Sequence, residues 1–128
     1  MILLDTDVLI AHLRGLEPAR GWLRQTRADG QLLAVSVVSI AELTGGMRSP
    51  ERSAVWGLLS ALQAEPVTEM IARRAGEMMR EHRRSHSGIG IPDYLIAATA
   101  EQSGAALITL NVRHFPMFPG LQPPFTLS

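Results

Sequence analysis

Apolar residues in this chain come in short dense runs, and the runs follow two different periods. Residues 1–4, 32–35 and 106–110 are almost continuously apolar, too much so to have a solvated face, and read as buried strands. Between them, apolar positions recur every three to four residues, the spacing of helices with one face on a core. One helix is expected over 8–13, halted near Gly15, and a second from Pro18 through Trp22, Leu23 and Arg27 to the stop at Asp29-Gly30. A third is expected from Ser36 or Ser39 toward Met47, weakened by Gly45-Gly46. Pro50 begins another, with Val55, Leu58, Leu59 and Leu62 at helical spacing. A minimal strand is expected at 65–67, and Thr68 can cap a long helix from Glu69 to about His86. After a glycine-containing loop, Pro92 starts a helix through Tyr94, Ile96, Ala97 and Ala100 that ends at Gly104. The proline-rich end is mostly turn, with an edge strand expected at 121–127.

Strands alternating with helices imply a parallel sheet, in which ligands bind beyond the carboxyl ends of the strands. The fold class is therefore α/β, with residues 1–128 expected to form one domain. Asp5, the segment 36–42 with Glu42, and Asn111 each follow an apolar run at that edge, and Asp93 follows a glycine loop. Converging carboxylates repel one another unless a cation lies between them, so the pattern points to a divalent-metal site. Simpler readings compete at each position. Asp7 reads more readily than Asp5 as a helix N-cap, because an acid closing an apolar strand is hard to explain by capping. Ser39-Ile40-Ala41-Glu42 has the form of a capping box, and Asp93 lies in a first turn where the helix dipole favours an acid. Thr109 and Asn111 can form a turn, or supply oxygen ligands or orient a water; His114 reads as a surface histidine.

Composition narrows the chemistry. Hydrophobic residues make up 46% and charged residues 19%, which suits a folded globular protein rather than a disordered one. The absence of cysteine excludes disulfides and thiolate chemistry. All twelve basic residues are arginine, so a P-loop or Schiff-base lysine is also excluded. Twelve acids balance them, and only clustering of the arginines could then mark a nucleic-acid surface. The long helix carries Arg73, Arg74, Arg80, Arg83 and Arg84. A solvated face with Arg73, Arg80 and Arg84 near Glu77 and Glu81 is the plainer reading, and a phosphate-contacting strip the sharper one. The opening residues have no basic leader, and no stretch approaches the roughly 20 apolar residues that span a bilayer, so a cytoplasmic protein is expected.

Four stretches together carry a resemblance. Met1-Ile2-Leu3-Leu4-Asp5-Thr6-Asp7-Val8-Leu9-Ile10, Ser36-Val37-Val38-Ser39-Ile40-Ala41-Glu42-Leu43, Ile91-Pro92-Asp93-Tyr94-Leu95-Ile96-Ala97-Ala98-Thr99-Ala100 and Leu107-Ile108-Thr109-Leu110-Asn111-Val112-Arg113-His114-Phe115 occur in this order. In this the chain resembles the PIN-domain metal-dependent ribonucleases, and within them the VapC-type toxins of bacterial toxin–antitoxin pairs. The resemblance implies a three-layer α/β/α fold around a central, mostly parallel sheet. It implies Mg²⁺ or Mn²⁺ held by Asp5, Glu42 and Asp93, RNA as substrate, a homodimer, and a VapB-type antitoxin as partner. Asn111 completes the expected catalytic set. It and His114 stand where the family often has an acid, which removes a negative charge; Asp7 stands where asparagine is common. Trp22, Leu23 and Trp56 are either core or an antitoxin interface, with core the favoured reading.

Two alternatives follow from the same residues. The missing acid also fits a degenerate PIN domain that only binds RNA or antitoxin. Asp-Thr-Asp after a first strand also resembles the nucleophile loop of haloacid-dehalogenase-type phosphatases, but those use a downstream lysine and an acidic pair that this chain lacks.

Overall fold

A computed structural model describes residues 1–127. Four strands form one parallel sheet in the order β3-β2-β1-β4, with β1 Ile2–Leu4, β2 Leu33–Ser36, β3 Gln63–Glu65 and β4 Ala106–Ile108. β1 lies between β2 and β4, with Leu3 opposite Ala34 on one side and Leu107 on the other. The helices are α1 Thr6–Leu13, α2 Glu17–Ala28, α3 Val37–Gly46, α4 Arg52–Ser60, α5 Glu69–His82 and α6 Ile91–Ser103.

The two-residue period of a strand splits the core into two layers. Leu3, Ala34 and Leu107 pack with Ile71, Ala75 and Met78 of α5 and Tyr94, Ile96 and Ala97 of α6. Leu4, Leu33 and Val35 point the other way, onto Val8 and Leu9 of α1, Leu23 of α2 and Val55, Leu58 and Leu59 of α4. Burial on both faces is why β1 and β2 have no polar alternation, and why the α/β/α expectation holds.

Several local expectations are corrected. The first helix begins at Thr6, not near Val8, with Asp5 as its N-cap accepting from the Thr6 N–H. The third begins at Val37 with Ser36 as cap, bonded to the Val38 N–H, so Ser39 and Glu42 lie inside the helix and form no capping box. Residues 49–51 form a 3-10 turn ahead of α4. The third strand lies at Gln63–Glu65, just before Pro66, whose ring removes a ladder donor. Thr68 caps α5 as expected, its hydroxyl accepting from the Ile71 N–H at 3.2 Å, but the helix stops at His82. α6 ends where Gly104 takes φ 68°, the left-handed conformation suited to glycine. Among the described residues 121–127 there is no strand. Leu121 packs against the α5–α6 layer instead and Phe125 against the opposite one, its ring 6.2 Å from that of Trp22.

Candidate functional site

Three strand ends and one helix start meet at the carboxyl edge of the sheet. Asp5 follows β1, and its backbone N–H donates to the Ile108 carbonyl of β4, fixing it beside the residues that leave that strand. Its side chain is only 5% exposed. Oδ1 accepts from the Thr6 N–H at 2.8 Å, and Oδ2 accepts from the Thr109 hydroxyl at 2.7 Å. Burial and the neighbouring Asp7 charge push the Asp5 carboxyl up to about 6; the Thr109 and Thr6 bonds pull against this, and Asp93 adds to the rise.

Asp7 occupies the first turn of α1 and is not the cap. It accepts from the Leu110 N–H at 3.1 Å, and from the Thr109 hydroxyl at 3.3 Å. Burial raises its carboxyl above the ordinary range despite these bonds. Asp7 therefore pins the segment after β4 to the start of α1, and Thr109 sits between two acids as a shared donor. Thr109 itself is fully buried and also accepts from the Asn111 N–H at 3.0 Å, so it serves the carboxylates rather than reaching outward as a ligand.

Glu42 lies beside this cluster because of Thr6. The Thr6 hydroxyl is 2.8 Å from Glu42 Oε1 and 2.8 Å from the hydroxyl of Ser39, which is fully buried. These contacts tie α1 to α3 at sequence separations of 33 and 36 residues, and the one to Ser39 explains why a serine occupies a core position there. Asp93, in the first turn of α6, has Oδ2 3.0 Å from Nδ1 of His114. His114, expected on the surface, instead links the 3-10 turn Val112–His114 to α6. Asn111 starts that turn, is exposed, and makes no capping bond through its side chain.

The expected site residues thus gather at one edge, with Asp5, Asp7 and Asp93 close enough for Asp7 and Asp93 to raise the proton affinity of Asp5. They do not form a closed cage: among the described residues, no group of three or more acid or histidine side chains is positioned to hold an ion. The donor set still fits a hard divalent cation. It is all oxygen, buried carboxylate charge lacks a counter-ion, and Glu42 and Asp93 each use one oxygen in the contacts above. Sequence reasoning missed Thr6 and the roles of Asp7 and His114. A helix starting at Thr6 would have placed that hydroxyl inward, but the pattern alone did not fix that start.

The arginines expected along the long helix divide. Arg74, not Arg73, Arg80 or Arg84, is the hub: it lies 2.7 Å from Glu101 of α6 and within 3.5 Å of Glu77 and Glu81. Arg73 pairs with Glu69. Leu23 is core, Trp22 is partly buried, and Trp56 is 46% exposed, so the three do not share one role.

A parallel sheet between two helical layers, with acids gathered at its carboxyl edge, defines the class structurally as a small three-layer α/β domain. Residues 2–117 match the PIN domain family, and the chain belongs to it. It is 62% identical to Ribonuclease VapC10 of Mycobacterium tuberculosis over 127 residues, covering 99% of this chain and 95% of that protein. It is 46% identical to Ribonuclease VapC19 of the same species, covering 98% and 100%. Among solved structures, a toxin–antitoxin complex from Klebsiella pneumoniae contains a chain that superposes with a TM-score of 0.80 at 25% identity, covering 98% of each.

Proposed function

We propose that this protein is an endoribonuclease of the VapC type, the toxin of a toxin–antitoxin pair, and that its chemistry depends on a divalent cation, Mg²⁺ or Mn²⁺. The observation that carries the cation is Asp5: a buried carboxylate, raised to about 6 and faced by two further acids, is destabilised at neutral pH without positive charge beside it. Asp5, Glu42 and Asp93 would hold the ion. When bound, it supplies Lewis-acid stabilisation of charge developing on the phosphodiester and makes water a stronger acid.

The protein's own residues set the geometry. Thr109 and the Thr6 N–H fix the Asp5 carboxylate, Thr6 fixes Glu42, and His114 fixes one oxygen of Asp93. Asn111, exposed at the start of the 3-10 turn, offers an amide to water or phosphate at the same edge. Hydrolysis adds water across one P–O bond: the hydroxyl joins phosphorus, and the proton goes to the departing oxygen.

The RNA substrate is supported by the names of the relatives at 62% and 46% identity, and the antitoxin partner by the toxin–antitoxin complex of the same fold. A VapB-type antitoxin, a homodimer, action as one domain and a cytoplasmic setting complete the reading. Among the described residues, no helix is long and apolar enough to cross a membrane. The binding-only alternative has one observation behind it, the bond from His114 to Asp93 in place of a further acid.

The test is cleavage of total cellular RNA by antitoxin-free protein with Mg²⁺, with Mn²⁺ and with EDTA, beside Asp5→Asn and Asp93→Asn. Cleavage that needs metal and is lost in both variants is expected. Undiminished cleavage in EDTA would remove the metal chemistry, and a folded protein that binds Mn²⁺ yet cuts no RNA would favour binding alone.

A further inference from the structure

A recess of about 530 Å³ opens beside the acids, between the turn that follows α5 and the 3-10 turn after β4. Ser85, His86 and Ser87 line one side, and Arg113 and His114 the other. His114 is also the residue that contacts Asp93, so the recess adjoins the acidic cluster through one shared side chain. The two regions have opposite chemistry. Asp5, Asp7, Glu42 and Asp93 repel a polyanion, and even a bound divalent ion offsets only part of their charge.

The recess supplies what the acids lack. Arg113 is exposed, and Arg83 and Arg84 precede the lining residues on the same turn; among the described residues none of the three has an ion-pair partner. Among the described residues four of the other nine arginines, Arg24, Arg48, Arg73 and Arg74, are ion-paired. Arg73 and Arg74 are paired on α5, and Arg48, near Glu42 on the other flank, is held by Glu51 at 3.3 Å. Hydroxyl and imidazole groups face Arg113 across it: the Ser85 hydroxyl lies 2.9 Å from Nδ1 of His86. Val112 and Pro116 give the recess an apolar floor, and arginine with hydroxyl and ring N–H donors above it suits a phosphodiester, while no Phe, Tyr or Trp lines it to stack a base.

Resting on the reading of the chain as a ribonuclease, we infer that this recess is a subsite for the RNA phosphodiester adjoining the bond that is cut. Arg113 is its cationic anchor, and Arg83 and Arg84 draw the strand toward it. The arginine strip expected on the long helix thus resolves into the turn that follows it, joined to a distant segment of the chain.

Binding of a short, unstructured single-stranded RNA to the Asp5→Asn protein across a salt series tests this. Three further variants are made in that background: Arg113→Gln, Ser87→Asp on the opposite side of the recess, and Arg20→Gln as a remote arginine control. Expected is several-fold weaker binding for Arg113→Gln, with the slope of log K against log salt reduced by about 0.7 for the lost phosphate contact. Ser87→Asp should weaken binding as well, and Arg20→Gln should change neither quantity. In the metal-loaded protein with Asp5 restored, Arg113→Gln should raise KM far more than it lowers kcat. Equal effects of Arg113→Gln and Arg20→Gln would reduce the effect to net charge and overturn the subsite. Unchanged RNA binding in Arg113→Gln, with cleavage intact, would overturn the subsite and leave the ribonuclease reading standing. Absence of both RNA binding and RNA cleavage would remove the two together.

Discussion

Asp5 is asked to do two things that conflict in a metal-free protein. It caps α1 through the Thr6 N–H, and it remains a carboxylate in a place 5% exposed with Asp7 beside it. Because its folded value, about 6, lies above the ordinary 3.8, the folded protein binds the proton more tightly than the unfolded chain. That contribution to stability is complete below about pH 4 and is lost as pH rises through 6. A shift of that size corresponds to about 3 kcal/mol as an upper figure. Asp5→Asn keeps the capping oxygen and removes the buried charge. In EDTA it should melt higher than the parent at pH 8 and little differently at pH 4, while its cleavage is lost. A lower melting temperature at pH 8 would contradict the account of Asp5. Thr109→Val tests the shared donor. Removing a buried hydroxyl that serves two carboxylates should cost about 1–3 kcal/mol in chemical denaturation. It should also move the acidic limb of the cleavage profile to higher pH, because Asp5 loses a bond that lowers its proton affinity.

Elements, rather than single residues, show what the sequence could tell. Strand and helix types were legible throughout residues 1–110, because burial on both sheet faces leaves apolar runs without alternation and helices keep their three-to-four spacing. Starts were less legible. Asp5 and Asp7, or Ser36 and Ser39, are chemically interchangeable as caps, and the choice is made by tertiary contacts: Asp7 is taken by Leu110, and Ser39 by Thr6. The strand expected at 121–127 failed because two adjacent prolines remove ladder donors, and Phe125 gains more by packing near Trp22. The same logic decides Glu42. With the capping box gone, Glu42→Gln retains an oxygen for the Thr6 hydroxyl, so stability should change by less than about 1 kcal/mol while cleavage falls steeply. Ser36→Ala should do the reverse at first order. It should cost about 1 kcal/mol in a denaturant titration, through loss of the α3 cap, with cleavage reduced only as far as α3 frays.

At the scale of the whole molecule, the strand order places β1 centrally, and both of its neighbours come from later in the chain. The parallel arrangement was legible in the sequence, and so was the edge at which the acids meet. The link from His114 to Asp93 was not, since nothing local to a histidine before a phenylalanine points 21 residues back. Because the ion is proposed to bind only the folded chain, Mn²⁺ should raise the melting temperature in proportion to the logarithm of its concentration above the dissociation constant. Asp93→Asn should weaken that response, and a parent protein whose melting temperature ignores Mn²⁺ would count against the site.

The pairing of the first strand with the last has a consequence for synthesis. A ribosome releases β1 first, but β4, Thr109 and the turn bearing Arg113 and His114 follow about a hundred residues later. Until that stretch emerges, Asp5 has no hydroxyl to hold it, Asp7 has no Leu110 amide to bind, and Asp93 has no imidazole beside it. A nascent chain therefore carries every proposed metal-binding acid and yet no assembled centre until residues 106–114 have followed.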